Sequence, residues 1–244
     1  MQKSKKIQYI AAFILYVVAV IYIFTHVTDN PRYDLILSQK KVLVEAIFTT
    51  LWVSIVALIL SVIVGFVFYL LLNSRIPFIR ALAVIYREII MGTPMLILIF
   101  LIVYVLGPLI GATNKLLLGL VSLVIYNCPY IANSFDGTIK MIDRDQYVVM
   151  DLYHFTGYQK YRYVIIPQII RPFVPALINH LSSTIKGSAL LRVVSVTEIT
   201  YVITVISAKN WAAIEGYLVM WVCYLIITIP LSLFAGYIGK RIAE

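Results

Sequence analysis

Apolar stretches of membrane-spanning length recur along this chain, at Ile7–Val27, Glu45–Leu72, Pro94–Gly111, Leu116–Phe135, Ile166–Val194 and Gly216–Gly239. That recurrence constrains the fold more than any other feature, because crossing ~30 Å of hydrocarbon takes about 20 mostly apolar helical residues. Backbone amides in lipid must bond within their own segment unless a barrel closes, and barrel strands would alternate every second residue. Each stretch is therefore read as a helix, and the chain as an all-α membrane protein, a polytopic bundle of about six transmembrane helices. Composition agrees, with 62% hydrophobic and 13% charged residues and a mean hydropathy of +0.95. Ile7–Val27 follows a basic start but outruns a signal-peptide core and lacks a small-residue cleavage site, so it is read as a retained anchor.

Lysine and arginine set the expected orientation, since positively charged loops resist translocation. With the N-terminus inside, the inner segments hold Lys3, Lys5, Lys6, Arg75, Arg80, Arg87, Lys140, Arg144, Lys160, Arg162, Arg171, Lys240 and Arg241. The outer segments hold only Arg32, Lys40, Lys41, Lys115 and Lys209, while Lys186 and Arg192 fall in or near the fifth span. Both termini are then cytoplasmic. This bias, together with anionic membrane lipid, accounts for the net charge of +9 and calls for no nucleic acid.

Catalytic chemistry finds no constellation. Cys128 and Cys223 sit within spans, away from any loop and without zinc-ligand companions. His26, His154 and His180 share no i, i+4 spacing with one another or with carboxylates, and no GxxxxGK[ST] phosphate cradle is present. The chain is expected to be no enzyme itself and to bind no metal, nucleotide or cofactor.

Between the fourth and fifth spans lies a polar, aromatic and basic island, Gln146–Gln168. Asp145 can cap a helix there, on which Tyr147, Met150, Tyr153 and His154 recur at i, i+3, i+6 and i+7 and make one aromatic face. Gly157 breaks the pattern, Tyr158, Tyr161 and Val164 continue it at spacing three, and Pro167, Pro172 and Pro175 mark a new helix start. The residues leave two readings open: a helix seated in a socket on a partner, or an amphipathic helix lying on lipid headgroups.

Several ordered motifs resemble one family, the permease subunits of bacterial binding-protein-dependent ABC importers, in the branch that carries polar amino acids. Thr50, Leu51, Ser54 and Gly65 are similar to that branch's TLxxS opening and later glycine, and Glu88 with Gly92-Thr93-Pro94 to its YxExxRGTP segment. The island resembles the EAA loop, running on to Val164, Ile165, Ile166, Pro167 and Gln168 of a VxxPQ pattern, while Leu181–Leu190 and Glu198 resemble LxxxxKxTSL and VxEL. The resemblance implies a type I importer permease in the bacterial cell (inner) membrane, translocating a polar amino acid or related small solute by alternating access. Its partners would be a cytoplasmic ABC ATPase dimer that holds ATP and Mg, a second permease subunit, same or related, and an extracellular or periplasmic solute-binding protein. Residues 1–44 then form a basic tail, an extra helix and an outer loop, and 45–239 the permease core, with a coupling loop at about 136–168. Residues 240–244 form a cytoplasmic tail. The coupling helix is expected at roughly Val149–Gly157, with Val149, Met150, Tyr153, His154, Gly157 and Tyr158 toward the ATPase.

The chain departs from the pattern at several places. Val148-Val149-Met150 stands for Glu-Ala-Ala and His154 for the customary glycine; Met91 takes an arginine position, Asn133 a glutamate position and Asp136 another arginine position. These changes raise a second reading, a permease-like scaffold or signalling subunit that has lost transport. Among polar residues at membrane depth, Lys186, with Asn179, His180, Ser182 and Ser183 nearby, could line the path and attract a carboxylate or could lock two helices together. Glu88, Thr93 and Lys186 are the candidates for the translocation path or gate, although Thr93 beside Pro94 could serve only a kink and Glu88 could pair with Arg87 or a partner chain; Glu45 and Glu198 are placed at the outer interface.

Overall fold

In a computed structural model, which describes residues 2–26, 28 and 30–243, with side chains at 7–26, 28 and 30–241, the chain is helical with no strand among the described residues. Val27 and the side chains of Lys3, Lys5 and Lys6 lie outside that description. Among the described residues, five helices are long and apolar enough to cross a membrane: α1 (Gln2–His26), α3 (Lys40–Leu72), α6 (Lys115–Ile139), α8 (Gly157–Val194) and α10 (Ala213–Ala243). A bent pair, α4 (Pro77–Gly92) and α5 (Met95–Leu109), with 109° between them, has the length and apolar character of a sixth crossing when taken together. Three short helices complete the order: α2 (Tyr33–Leu37), α7 (Arg144–Leu152) and α9 (Ile199–Lys209).

The sequence stretches at Pro94–Gly111, Ile166–Val194 and Gly216–Gly239 locate crossings but not their ends. α4 escapes a hydropathy reading because its exposed apolar ridge of Phe78, Leu82, Ile85 and Ile89 shares the helix with Arg80, Arg87 and Glu88. The chain turns at Thr93-Pro94, where both residues are extended and Pro94 offers no amide to continue the helix.

The prolines of the fifth crossing do not restart it. A π-helical run at Lys160–Ile165 ends just before Pro167, and α8 continues through Pro172 and Pro175 to Val194. A second π run, Leu101–Leu106, precedes Pro108 in α5. Proline removes one i→i−4 bond and crowds the carbonyl four residues back, and a wider turn ahead of it relieves both. As a result α8 has 38 residues. At 1.5 Å per residue that is about 57 Å, nearly twice the hydrocarbon thickness, so one end of α8 projects beyond the membrane as a stalk.

Small residues decide how closely the helices pack. Thr50, Ser54, Ala57, Ser61 and Gly65 recur at helical spacing on α3 and are all buried. They form a stripe that α6 rides against, and a Cβ added at Gly65 would lie 2.8 Å from Ile131 Cγ2 and 3.3 Å from the Cys128 carbonyl oxygen. Cys128 and Cys223 are free thiols, buried and half-buried, as their positions within spans led one to expect.

Gly65→Leu should force α3 and α6 apart, at a cost of about 1–3 kcal/mol or more for overpacking. The readout is a lowered thermal midpoint or lost monodispersity in detergent, with Gly92→Ala as the control, since a Cβ there meets nothing within 4 Å.

Candidate functional site

At one end of the bundle α7 begins on Asp143, whose Oδ1 accepts the Asp145 amide at 2.9 Å; Asp143, not Asp145, is the cap. The inner face of α7 is made by Met150, which is buried, and Tyr147, which is half-buried against the core cluster that includes Ile142, Phe135 and Ile165. Burial raises the Tyr147 phenol, and nearby Tyr161 adds to the shift. Two contacts tie α7 to the α8 stalk: Gln168 Nε2 donates to Gln146 Oε1 at 2.7 Å, and Lys160 pairs with Asp151. Val148, Val149, Leu152 and Tyr153 point outward and are exposed.

The helix closes with a Schellman arrangement: the Phe155 amide donates to Met150 O at 2.9 Å and the His154 amide to Asp151 O at 3.0 Å. His154 sits at the left-handed position with φ 53°, the place that favours glycine. Thr156 and Gln159 then form a reciprocal capping box that opens α8 at Gly157. Three expectations are thereby corrected. The helix spans Arg144–Leu152 rather than Val149–Gly157, Met150 anchors it inward instead of facing out, and Gly157 starts the next helix instead of breaking this one. Val149, Tyr153, His154 and Tyr158 do lie exposed at this end. Of the spaced aromatic and apolar residues, Tyr147 and Met150 mark the face toward the bundle, whereas Tyr153 is exposed together with Leu152, which the periodicity does not single out.

Aromatic rings join three spans to one another. Phe135 of α6 stacks on Phe173 of α8 with centroids 4.2 Å apart, and Phe66 of α3 meets Phe135 at 5.2 Å and Tyr161 at 5.9 Å.

Midway along α8 the polar residues divide by face. His180 Nε2 lies 2.7 Å from Ser134 Oγ, and Asn127 Nδ2 donates to Thr184 Oγ1 at 3.0 Å, forming a polar seam with α6. Asn179, Ser183 and Lys186, at i, i+4 and i+7, stand exposed on the other side. Lys186 makes no ion pair within 4 Å among the described residues, so it does not lock two helices of this chain together by a charge pair. Thr93 donates to the Ile89 carbonyl at 2.6 Å. Two residues on, Met95 packs against the turn of Lys186: a Cβ at Gly187 would lie 3.1 Å from both its Sδ and its Cε. Glu88 pairs with Arg87 at 2.8 Å. Met91 and Asn133 are brought into contact, Asn133 Nδ2 donating to Met91 Sδ at 3.8 Å. Asp136 pairs with Lys140 at 2.6 Å.

Glu198 is buried within the bundle. It caps α9, with Oε2 accepting the Thr200 amide at 2.9 Å and Oε1 the Tyr201 amide at 2.7 Å, and Tyr224 Oη donates to Oε2 at 3.0 Å. The sequence carries one clue to this cap, a carboxylate directly before an apolar helical pattern.

His154→Gly should relieve the left-handed backbone by about 1 kcal/mol. Slower hydrogen exchange at amides 153–156 is the check. Gly157→Pro should be tolerated, because Gly157 is the first helical residue behind an extended Thr156.

Residues 74–244 match the family model described as "Binding-protein-dependent transport system inner membrane component". "Probable amino-acid permease protein YxeN" of Bacillus subtilis (strain 168) is 28% identical over 215 residues, covering 87% of this chain and 96% of that protein. "Probable glutamine ABC transporter permease protein GlnM" of the same organism is 26% identical over 200 residues, covering 82% and 93%. Among solved structures, one described as "Crystal structure of an amino acid ABC transporter with histidines" superposes with a TM-score of 0.78 at 25% identity, covering 87% of this chain and 99% of that one. An inward-facing MetNI methionine ABC transporter shares the fold, with a TM-score of 0.71 at 17% identity, covering 85% and 99%. With more than half its length matched by the model, the chain belongs to the family of binding-protein-dependent transport system inner membrane components.

Proposed function

We propose that this chain is the permease subunit of an ATP-driven importer for a polar amino acid or a related small solute, working by alternating access. The observation that carries the reading is the exposed run Asn179, Ser183 and Lys186 on a spanning helix. Polar and charged side chains at membrane depth are costly against lipid, so such a face belongs toward water or a second subunit. A second permease chain opposite this face would enclose a path lined by Lys186 and by the Thr93 bend. The names of YxeN and GlnM support an amino acid as cargo.

The outward face of α7 would seat on a cytoplasmic ATPase dimer, which holds ATP and Mg, and a solute-binding protein would deliver cargo on the opposite side. Both termini would be cytoplasmic, in the cell membrane. Residues 45–239 would form the permease core and 1–44 an additional helix beside it. Closure of the ATPases would draw α7 inward, and buried Met150 with the Phe66, Phe135, Phe173 and Tyr161 rings would carry that displacement into α3, α6 and α8. The altered EAA positions do not argue for a transport-inactive scaffold, since the loop retains a closed cap, a capping box and an apolar outward face.

Affinity purification from the native membrane should recover an ATPase with the wild-type chain. The double change Val149→Asp and Leu152→Asp should lose it, since charging two apolar contacts of a docking face costs about 2 kcal/mol or more, roughly 30-fold in affinity. Undiminished recovery of the ATPase with the double variant would remove α7 from the docking role. Phe135→Ala should leave the ATPase bound while uptake per ATP hydrolysed falls, and normal coupling in that variant would refute the aromatic joint.

A further inference from the structure

Between α8, α9 and α10 lies a cleft of about 300 Å³, open on one side and lined by Lys186, Thr200, Tyr217, Trp221 and Tyr224 among others. That is the lower end of the range for small-molecule sites. Its polar groups differ in kind. Lys186 on α8 carries three N–H donors and no acceptor, and it is exposed. The other polar group lining the cleft is the hydroxyl pair Thr200 and Tyr224, whose oxygens are 3.0 Å apart.

The direction of the hydrogen bonds in that pair follows from Glu198. Backbone amides can only donate, and those of Thr200 and Tyr201 each point at one carboxylate oxygen. Tyr224 adds its own hydroxyl hydrogen to Oε2 at 3.0 Å. With that hydrogen committed, the Tyr224 oxygen is the acceptor of its bond with Thr200, so Thr200 spends its hydrogen on Tyr224. What Thr200 then has left to offer is lone pairs. Of the polar groups lining the cleft, Lys186 donates and the Thr200 hydroxyl accepts.

We propose that this cleft is the solute site of the chain, and that it selects a small zwitterion whose carboxylate meets Lys186 and whose ammonium meets the Thr200 oxygen. The proposal rests on the importer reading above. Tyr217 and Trp221 supply apolar walls for the rest of the solute, half-exposed in this single chain. A dianion would set a negative group against lone pairs, and a dication would set a positive one against Lys186. Lys186 also belongs to the exposed face of α8, which makes the cleft continuous with the polar face assigned to the path.

The test uses the permease–ATPase complex. ATP-driven uptake of the twenty ¹⁴C-labelled L-amino acids is measured in proteoliposomes with the solute-binding protein present. For an amino acid that enters, binding to the complex without the binding protein is then compared with that of its N-acetyl and methyl ester derivatives. Thr200→Val should weaken binding of the free amino acid by about tenfold or more and abolish discrimination against the N-acetyl derivative, with Thr200→Ser restoring both. Lys186→Met should abolish discrimination against the methyl ester instead. Uptake of no amino acid by the wild type would overturn the importer reading and the site with it. Uptake by the wild type, with both variants still discriminating as it does, would overturn the site alone. An equal loss of affinity for free and blocked solutes in both variants would indicate disturbed packing and would also overturn it.

Discussion

The arrangement depends on a helix N-terminus held in the interior of the bundle. The first amides of α9 have no intrahelical partner, and in a low-dielectric surround each would cost several kcal/mol if left unpaired. They are all met. The Ile199 amide donates to Thr50 Oγ1 at 3.1 Å, and those of Thr200 and Tyr201 donate to the Glu198 carboxylate. Thr50 belongs to α3 and Tyr224, which also reaches Glu198, belongs to α10, so one capping arrangement joins three elements. The apolar cluster of Ile36, Ala46, Ile199, Ile203 and Val219 closes around the same point. The opening Thr-Leu-x-x-Ser of α3 thus has a physical account: the threonine hydroxyl completes the cap, and Ser54 returns its own hydrogen to the Thr50 carbonyl at 2.7 Å.

At the other end of the bundle the problem is mechanical. A short helix on an extended stalk can transmit displacement only if it cannot swivel, and the Lys160–Asp151 pair is a weak restraint because Asp151 is two-thirds exposed. Rigidity comes from packing: Met150 of α7 is buried, and Tyr147 packs against a cluster shared by α3, α6 and α8. Close-packed interiors pass displacement on instead of absorbing it. The two π turns have a related effect, since they let α5 and α8 run through Pro108 and Pro167 as continuous rods.

Where the chain departs from the family pattern, the departures are arranged in space. Met91 and Asn133, at positions that carry opposite charges in the pattern the chain resembles, touch each other here as two neutral groups. Asp136, at an arginine position, finds Lys140 one turn along its own helix. His154 occupies the left-handed cap without a glycine's freedom, which leaves the loop's geometry unchanged and some backbone strain within it.

The sequence by itself determined the number of crossings, the all-helical class, the family and the existence of a polar loop between the fourth and fifth crossings. Each of these follows from apolar length, from the need to satisfy backbone amides locally, or from motifs contiguous in the chain. Tertiary structure alone decided which way the polar residues face. Within a segment apolar all round, periodicity does not distinguish the side toward neighbouring helices from the side toward a partner. His180 and Asn179, adjacent in sequence, therefore went to a buried seam and an exposed face. The cap on α9 was equally illegible, because Thr50 and Glu198 lie far apart in the chain and meet only when α3 packs beside α9. Local rules place helices; which carboxylate is buried, and which cation is left facing a cleft, depends on neighbours that only the folded chain supplies.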